Sequence, residues 1–123
     1  MLEKGQIGTA FTVVSDDNTA RTVGSGSLDV FSTPMMVALM EAAACDCIAS
    51  GLEAGQTSVG TQVNVAHKAA SPVGASIVAT ATIDEVDGRK VTFTVVANDG
   101  KNEIGRGTHE RFIVDVAKFM AKL

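Results

Sequence analysis

From Pro34 to Ile48 the chain is apolar on every side of a helical projection, and Glu41 is the only acid in the first twelve of those residues. A helix without a polar face must be covered by other structure. The stretch therefore fixes the plan of the molecule: something else has to wrap it. A carboxylate inside such a helix is costly to desolvate unless it is paired, hydrogen-bonded or protonated, which makes Glu41 the first candidate for chemistry. Thr33 followed by Pro34 marks the helix start, with the Thr33 hydroxyl expected as N-cap and proline at the first turn, and Ser50-Gly51 marks the stop. About seventeen residues at ~1.5 Å each give a helix of about 25 Å, long enough to cross a sheet. Met36, Leu39, Met40, Ala43 and Cys47 form one apolar stripe, and Val37, Glu41, Ala44 and Ile48 the neighbouring one.

Outside this helix the period is two. Ile7–Val14 reads as a strand ended by Ser15-Asp16-Asp17-Asn18, and Thr19–Val30, with Gly24-Ser25-Gly26-Ser27 at its centre, as a mobile loop or short irregular strand. After the helix, Val59, Thr61, Val63, Val65 and His67 are expected on one face of a strand that Pro72-Val73-Gly74 turns away. Ser76–Val86 presents Ile77, Ala79, Ala81 and Ile83; Asp87-Gly88 signals a hairpin; Val91, Phe93, Val95 and Ala97 continue the sheet. Asn98–Asn102 is a further turn, before a last strand over Ile104–Val116 with Phe112, Val114 and Val116 alternating. One strand, one long helix and four antiparallel strands exclude a doubly wound fold. They predict an α+β domain spanning residues 1–123, a curved antiparallel sheet wrapped around one central helix. The Thr57–Ala66 strand is apolar and nearly uncharged, so its edge is expected to pair with its own copy in a homodimer, a dimer of dimers being a further option.

Charge narrows the partners. With 10 Lys and Arg against 14 Asp and Glu, and the cations scattered, the chain carries no nucleic-acid footprint. It lacks a signal-peptide start and a run of ~20 apolar residues, so a cytoplasmic protein without membrane attachment is expected. Cys45 and Cys47 point about 200° apart on the helix and cannot bridge each other. There is no Gly-x-Ser-x-Gly elbow, Walker-type loop, or Cys and His cluster at metal-ligand spacing, so neither metal nor cofactor is expected.

Three polar side chains form the candidate catalytic set: Thr33, Glu41 and His67. A desolvated acid can act as general base or nucleophile, a hydroxyl can orient the reacting group, and an imidazole can shuttle the proton. Gly60 lets a substrate approach the backbone, and the helix N–H groups beside Thr33 offer positive charge to an oxyanion. Arg106, in Gly105-Arg106-Gly107, is a candidate phosphate contact. His109, between Thr108 and Glu110-Arg111, reads as a structural or exposed partner.

Ser32-Thr33-Pro34-Met35-Met36 with Glu41, then Val59-Gly60-Thr61-Gln62-Val63-Asn64-Val65-Ala66-His67, Ser71-Pro72-Val73-Gly74 and Gly107-Thr108-His109-Glu110-Arg111, resemble the hotdog-fold thioesterases, specifically the fluoroacetyl-CoA thioesterase-like group. The resemblance runs from about Gly5 to Val114. It implies hydrolysis of an acyl-CoA thioester to free acid and CoA, with CoA entering only as part of the substrate. It also implies a site near a dimer interface built from Thr33, Glu41 and His67, with Gly60 contacting the acyl group. Gly24–Ser27 carries no aromatic gate, so nothing in the residues selects a fluorinated substrate, and the absence of histidine between Thr33 and Gly51 disfavours the hydratase branch. The alternative from another class is a dimeric module that binds an acyl thioester or other small apolar ligand without cleaving it.

Overall fold

A computed structural model describes the chain from Met1 to Leu123. Its elements are β1 (Ile7–Val13), α1 (Ala20–Val23), α2 (Thr33–Ile48), β2 (Gln56–His67), β3 (Ser76–Asp87), β4 (Lys90–Asn98), β5 (Glu103–Asp115) and α3 (Val116–Ala121). The five strands form one antiparallel sheet in the order β1-β3-β4-β5-β2. This α+β arrangement, a curled sheet around one long helix, is the hotdog architecture.

α2 lies across the concave face. Met36, Leu39, Met40, Ala43, Ala44, Cys47 and Ile48 are buried against Ile77, Ala79, Ala81 and Ile83 of β3 and Val91, Phe93, Val95 and Ala97 of β4. Alanines on both sides of the contact let the helix settle close to the sheet. At Gly8 of β1 a Cβ would strike the α2 backbone at Ala43 and Cys47, so only glycine allows that approach. The adjacent Thr9 N–H donates to Asp46 Oδ2 at 3.0 Å, which fixes the end of the helix to the strand. By length and composition the stretch Thr33–Gly51 could cross a membrane. Here its buried stripe is consumed by the sheet instead.

Several expectations need correction. The N-cap of α2 is Ser32, whose Oγ accepts from the Met35 N–H at 3.2 Å, and not Thr33. The four strands after α2 do not pair in chain order: β2 passes β3 and β4 and pairs with β5, leaving β1 and β2 as the two sheet edges. A bulge between Gly60 and Gln62 inserts one extra residue, which reverses the inside-outside parity along β2. Ser58 and Gly60 therefore face inward before the bulge and Val63, Val65 and His67 after it, while Val59 lies opposite Phe112 on the outer face. In β5 the inward positions are Gly105, Gly107, His109, Arg111 and Ile113 rather than Phe112 and Val114, and Val116 begins the short helix α3. The Thr19–Val30 region contains α1, capped by Thr19 and ended at Gly24 (φ 87°). Beyond it Val30 bridges to Pro72 and Phe31 to Thr19.

Candidate active site

Capping by Ser32 leaves the next hydroxyl free. Thr33 Oγ1 lies 2.8 Å from His67 Nδ1, joining the head of α2 to the end of β2. Burial pushes the His67 imidazole below its ordinary value of 6.5, partly offset by the Ala69 backbone, so the ring is neutral at pH 7. Its Nε2 is buried and makes no hydrogen bond of acceptable geometry. The pair opens into a cavity of about 250 Å³ whose wall also includes Ala20, Val30, Phe31 and Lys68. The segment between α1 and α2 forms that wall because Phe31 N–H donates to the Ser71 carbonyl and Ala20 N–H to the Val30 carbonyl.

Glu41 belongs to a second cluster. Eight residues along α2 separate it from Thr33, about 12 Å of helix axis, and its side chain points at the β2 bulge. A Cβ on Gly60 would lie 2.5 Å from Glu41 Oε2, so the glycine is what admits the carboxylate. Arg111 Nη1 donates to Glu41 Oε2 at 2.9 Å; Arg111 Nε donates to Ser58 Oγ at 2.8 Å and Nη2 to the Ser58 carbonyl at 3.1 Å. The Arg111 side chain is 8% exposed and that of Glu41 38%. Full burial of Glu41 is therefore not observed. The sheet covers only one side of α2, and Ala38, Ala42 and Cys45 face outward on the other.

His109 completes the cluster. Its ring is 5.9 Å from that of Phe93, and it sits between the Gln62 carbonyl (Nδ1, 2.8 Å) and Arg111 Nη1 (Nε2, 3.3 Å). It is buried, and it adjoins Glu41 rather than standing apart from the candidate set. Arg106 joins neither cluster. It lies on the face of β5 opposite Gly105, the partner of His67, and forks onto Glu103, which Lys68 also engages.

The chain thus brings Thr33 to His67 and Glu41 to Gly60 as two separate pairs. Arg111 and Ser58 were missed from sequence; the available signal for Arg111 was its spacing of two from His109, which puts both on one face of β5. Chemically, a neutral imidazole with a hydroxyl partner can carry a proton, and a carboxylate aimed by an arginine can serve as base or nucleophile.

Comparison with known proteins bears on this arrangement. Residues 14–117 match the family model described as FlK, fluoroacetyl-CoA-specific thioesterase. The fluoroacetyl-CoA thioesterase of Streptantibioticus cattleyicolor is 45% identical over 95 residues, covering 77% of this chain and 68% of that protein. A variant of FlK crystallised with fluoroacetate and CoA superposes with a TM-score of 0.90 at 38% identity, covering 96% of this chain and 99% of the other. A thioesterase superfamily member from Thermus thermophilus superposes with a TM-score of 0.91 at 30% identity, covering 99% and 90%.

Proposed function

This chain belongs to the fluoroacetyl-CoA-specific thioesterase family and is a hydrolase of small acyl-CoA thioesters; from that premise we propose that its active site is composite, completed only when two copies pair along β2. The observation that carries this is the separation within one protomer of Thr33 and His67 from Glu41 and Gly60. β2 is an edge strand on which Gly60 through Asn64 are all exposed. Antiparallel pairing of that edge with its copy, about an axis near Val63, sets residues equally distant from the axis opposite one another. Gly60 then faces the end of the partner strand, and Glu41 meets Thr33 and His67 of the partner subunit.

In such a site the thioester carbonyl sits between the two pairs, with the acyl group in the cavity beside Thr33 and Phe31. Thr33 orients the carbonyl, and the first N–H groups of α2 supply positive charge for the oxyanion. Hydrolysis breaks the C–S bond and forms a C–O bond. A proton taken from water at Glu41 returns through His67 to the departing CoA sulfur. If Glu41 instead attacks directly, a mixed anhydride forms and water opens it. A single turnover in ¹⁸O-labelled water tests the covalent route, since label enters the Glu41 carboxylate only when water opens the anhydride at the Glu41 carbonyl carbon.

The direct test follows CoA thiol release from acetyl-, fluoroacetyl-, propionyl- and butyryl-CoA. We expect turnover of the short acyl groups and, for Glu41→Gln, a loss of about 10³-fold or more in kcat without loss of fold. Binding of every acyl-CoA with release from none would point to the non-catalytic module. Normal turnover by Glu41→Gln would remove Glu41 from the mechanism.

A further inference from the structure

The carboxylate at the site does not stand alone: its only direct cation, Arg111, is itself held by a buried imidazole that the reaction scheme leaves unused. From this geometry we infer that His109 is a positioning residue, a neutral hydrogen-bond acceptor that aims the Arg111 guanidinium at Glu41 and turns into an opponent of that contact when protonated. The inference rests on the role proposed above for Glu41.

The tautomer follows from the partners. The Gln62 carbonyl, 2.8 Å from Nδ1, can only accept, so Nδ1 carries the hydrogen. In a neutral ring Nε2 is then a lone pair, and it faces Arg111 Nη1, which can only donate, at 3.3 Å. The remaining guanidinium nitrogens are committed to Ser58, so Nη1 is fixed between two acceptors, His109 Nε2 and Glu41 Oε2. Phe93 of β4 supports the ring face at 26°. The bulge supplies the Gln62 carbonyl and Gly60 the opening through which Glu41 enters, so a single irregularity of β2 sets both ends of the relay.

Protonation would reverse this. The imidazolium would aim an N–H at an N–H of Arg111 while standing 3.9 Å from Glu41, competing for the same carboxylate oxygen. The charged groups acting on the ring are Arg111 on its own strand, Glu41 on α2 and, from the opposite face of β5, Glu110; β2 and β4 contribute the neutral Gln62 and Phe93. Burial, the largest influence, and the Arg111 charge both disfavour the protonated form. The Gln62 carbonyl, Glu41 and Glu110 oppose them without reversing the balance.

The test uses His109→Phe, which keeps ring volume and loses both hydrogen bonds, and His109→Gln, whose amide can donate to Gln62 and accept from Arg111. Each is measured alone and combined with Glu41→Gln. His109→Phe should lose about 10- to 100-fold in kcat, as expected when a partner behind a reacting group is removed, with KM changed less than about threefold. His109→Gln should recover most of that loss and shift the acid limb of the pH–kcat profile to lower pH. In the Glu41→Gln background, His109→Phe should change the residual rate by less than about twofold. Equal loss in both backgrounds would assign His109 a purely structural role and overturn the inference, as would an unaltered kcat in His109→Phe. If His109→Phe fails to fold, the rate and acid limb of His109→Gln decide, an unshifted limb counting against. Full activity of Glu41→Gln would instead refute the Glu41 role, a distinct outcome.

Discussion

Ser32 and Thr33 split two tasks that one hydroxyl could have combined. Ser32 satisfies an orphan N–H of α2, and Thr33, one position on, is exposed at the helix head with its oxygen on His67. Ser32→Ala should therefore cost about 1 kcal/mol in denaturant unfolding and leave kcat nearly unchanged. Thr33→Val should do the opposite, retaining stability while kcat falls. Parallel effects of the two substitutions on kcat would show that the tasks are not separable. Thr33, Glu41 and His67 were legible as residue types out of place in their segments. What was not legible was which hydroxyl caps, because Ser-Thr-Pro satisfies capping preferences in either register. Arg111 and His109 were hidden for a different reason: a one-residue error in the inward parity of β5 places them outside.

At the level of elements, the long helix and the Ile77–Ala97 hairpin were readable because their periodicity is strong and uninterrupted. β2 was read as one regular strand because a bulge has no side-chain signature beyond a glycine, and its displaced pairing with β5 depends on distant strands. That edge carries the next prediction. Gln62→Lys combined with Asn64→Lys adds like charges to two exposed positions on one face of an open strand, the arrangement by which natural edges avoid pairing. Sedimentation at micromolar concentration should show the parent chain as a dimer and the double variant as a monomer. Because the site is proposed to need both copies, thiol release should fall about 100-fold or more with dissociation while the melt remains cooperative. A monomer with full turnover would defeat the composite arrangement.

For the molecule as a whole, pH acts through the buried His109 imidazole, the half-buried His67 imidazole and one exposed carboxylate network. His67 and His109 both sit below their ordinary value of 6.5 chiefly through burial. An unfolded chain then binds more protons than the native one as soon as the medium becomes more acidic than that value. Stability is accordingly complete above about pH 6.5 and declines as pH falls through it toward the native values. Glu103, held down at about 2 by Arg106 and Lys68, works in a separate window: its contribution is present above 4.5 and disappears as pH drops toward 2. Thermal melts should thus lose midpoint temperature between about pH 7 and 5, before the carboxylates titrate. His109→Phe should flatten that slope. A midpoint constant across this interval would contradict the burial of the two rings. The global plan, a sheet around a helix, followed from the all-apolar helix; the strand order did not, since pairing between distant strands leaves no local pattern.

The position of β2 and β1 at opposite ends of the sheet has a consequence for growth. Were β2 to join its own copy as proposed, each chain would spend the same edge, and the merged sheet would finish in two β1 strands facing away from each other. Further growth of such a sheet would have to pass through β1, so resistance to endless strand addition has to reside in that edge.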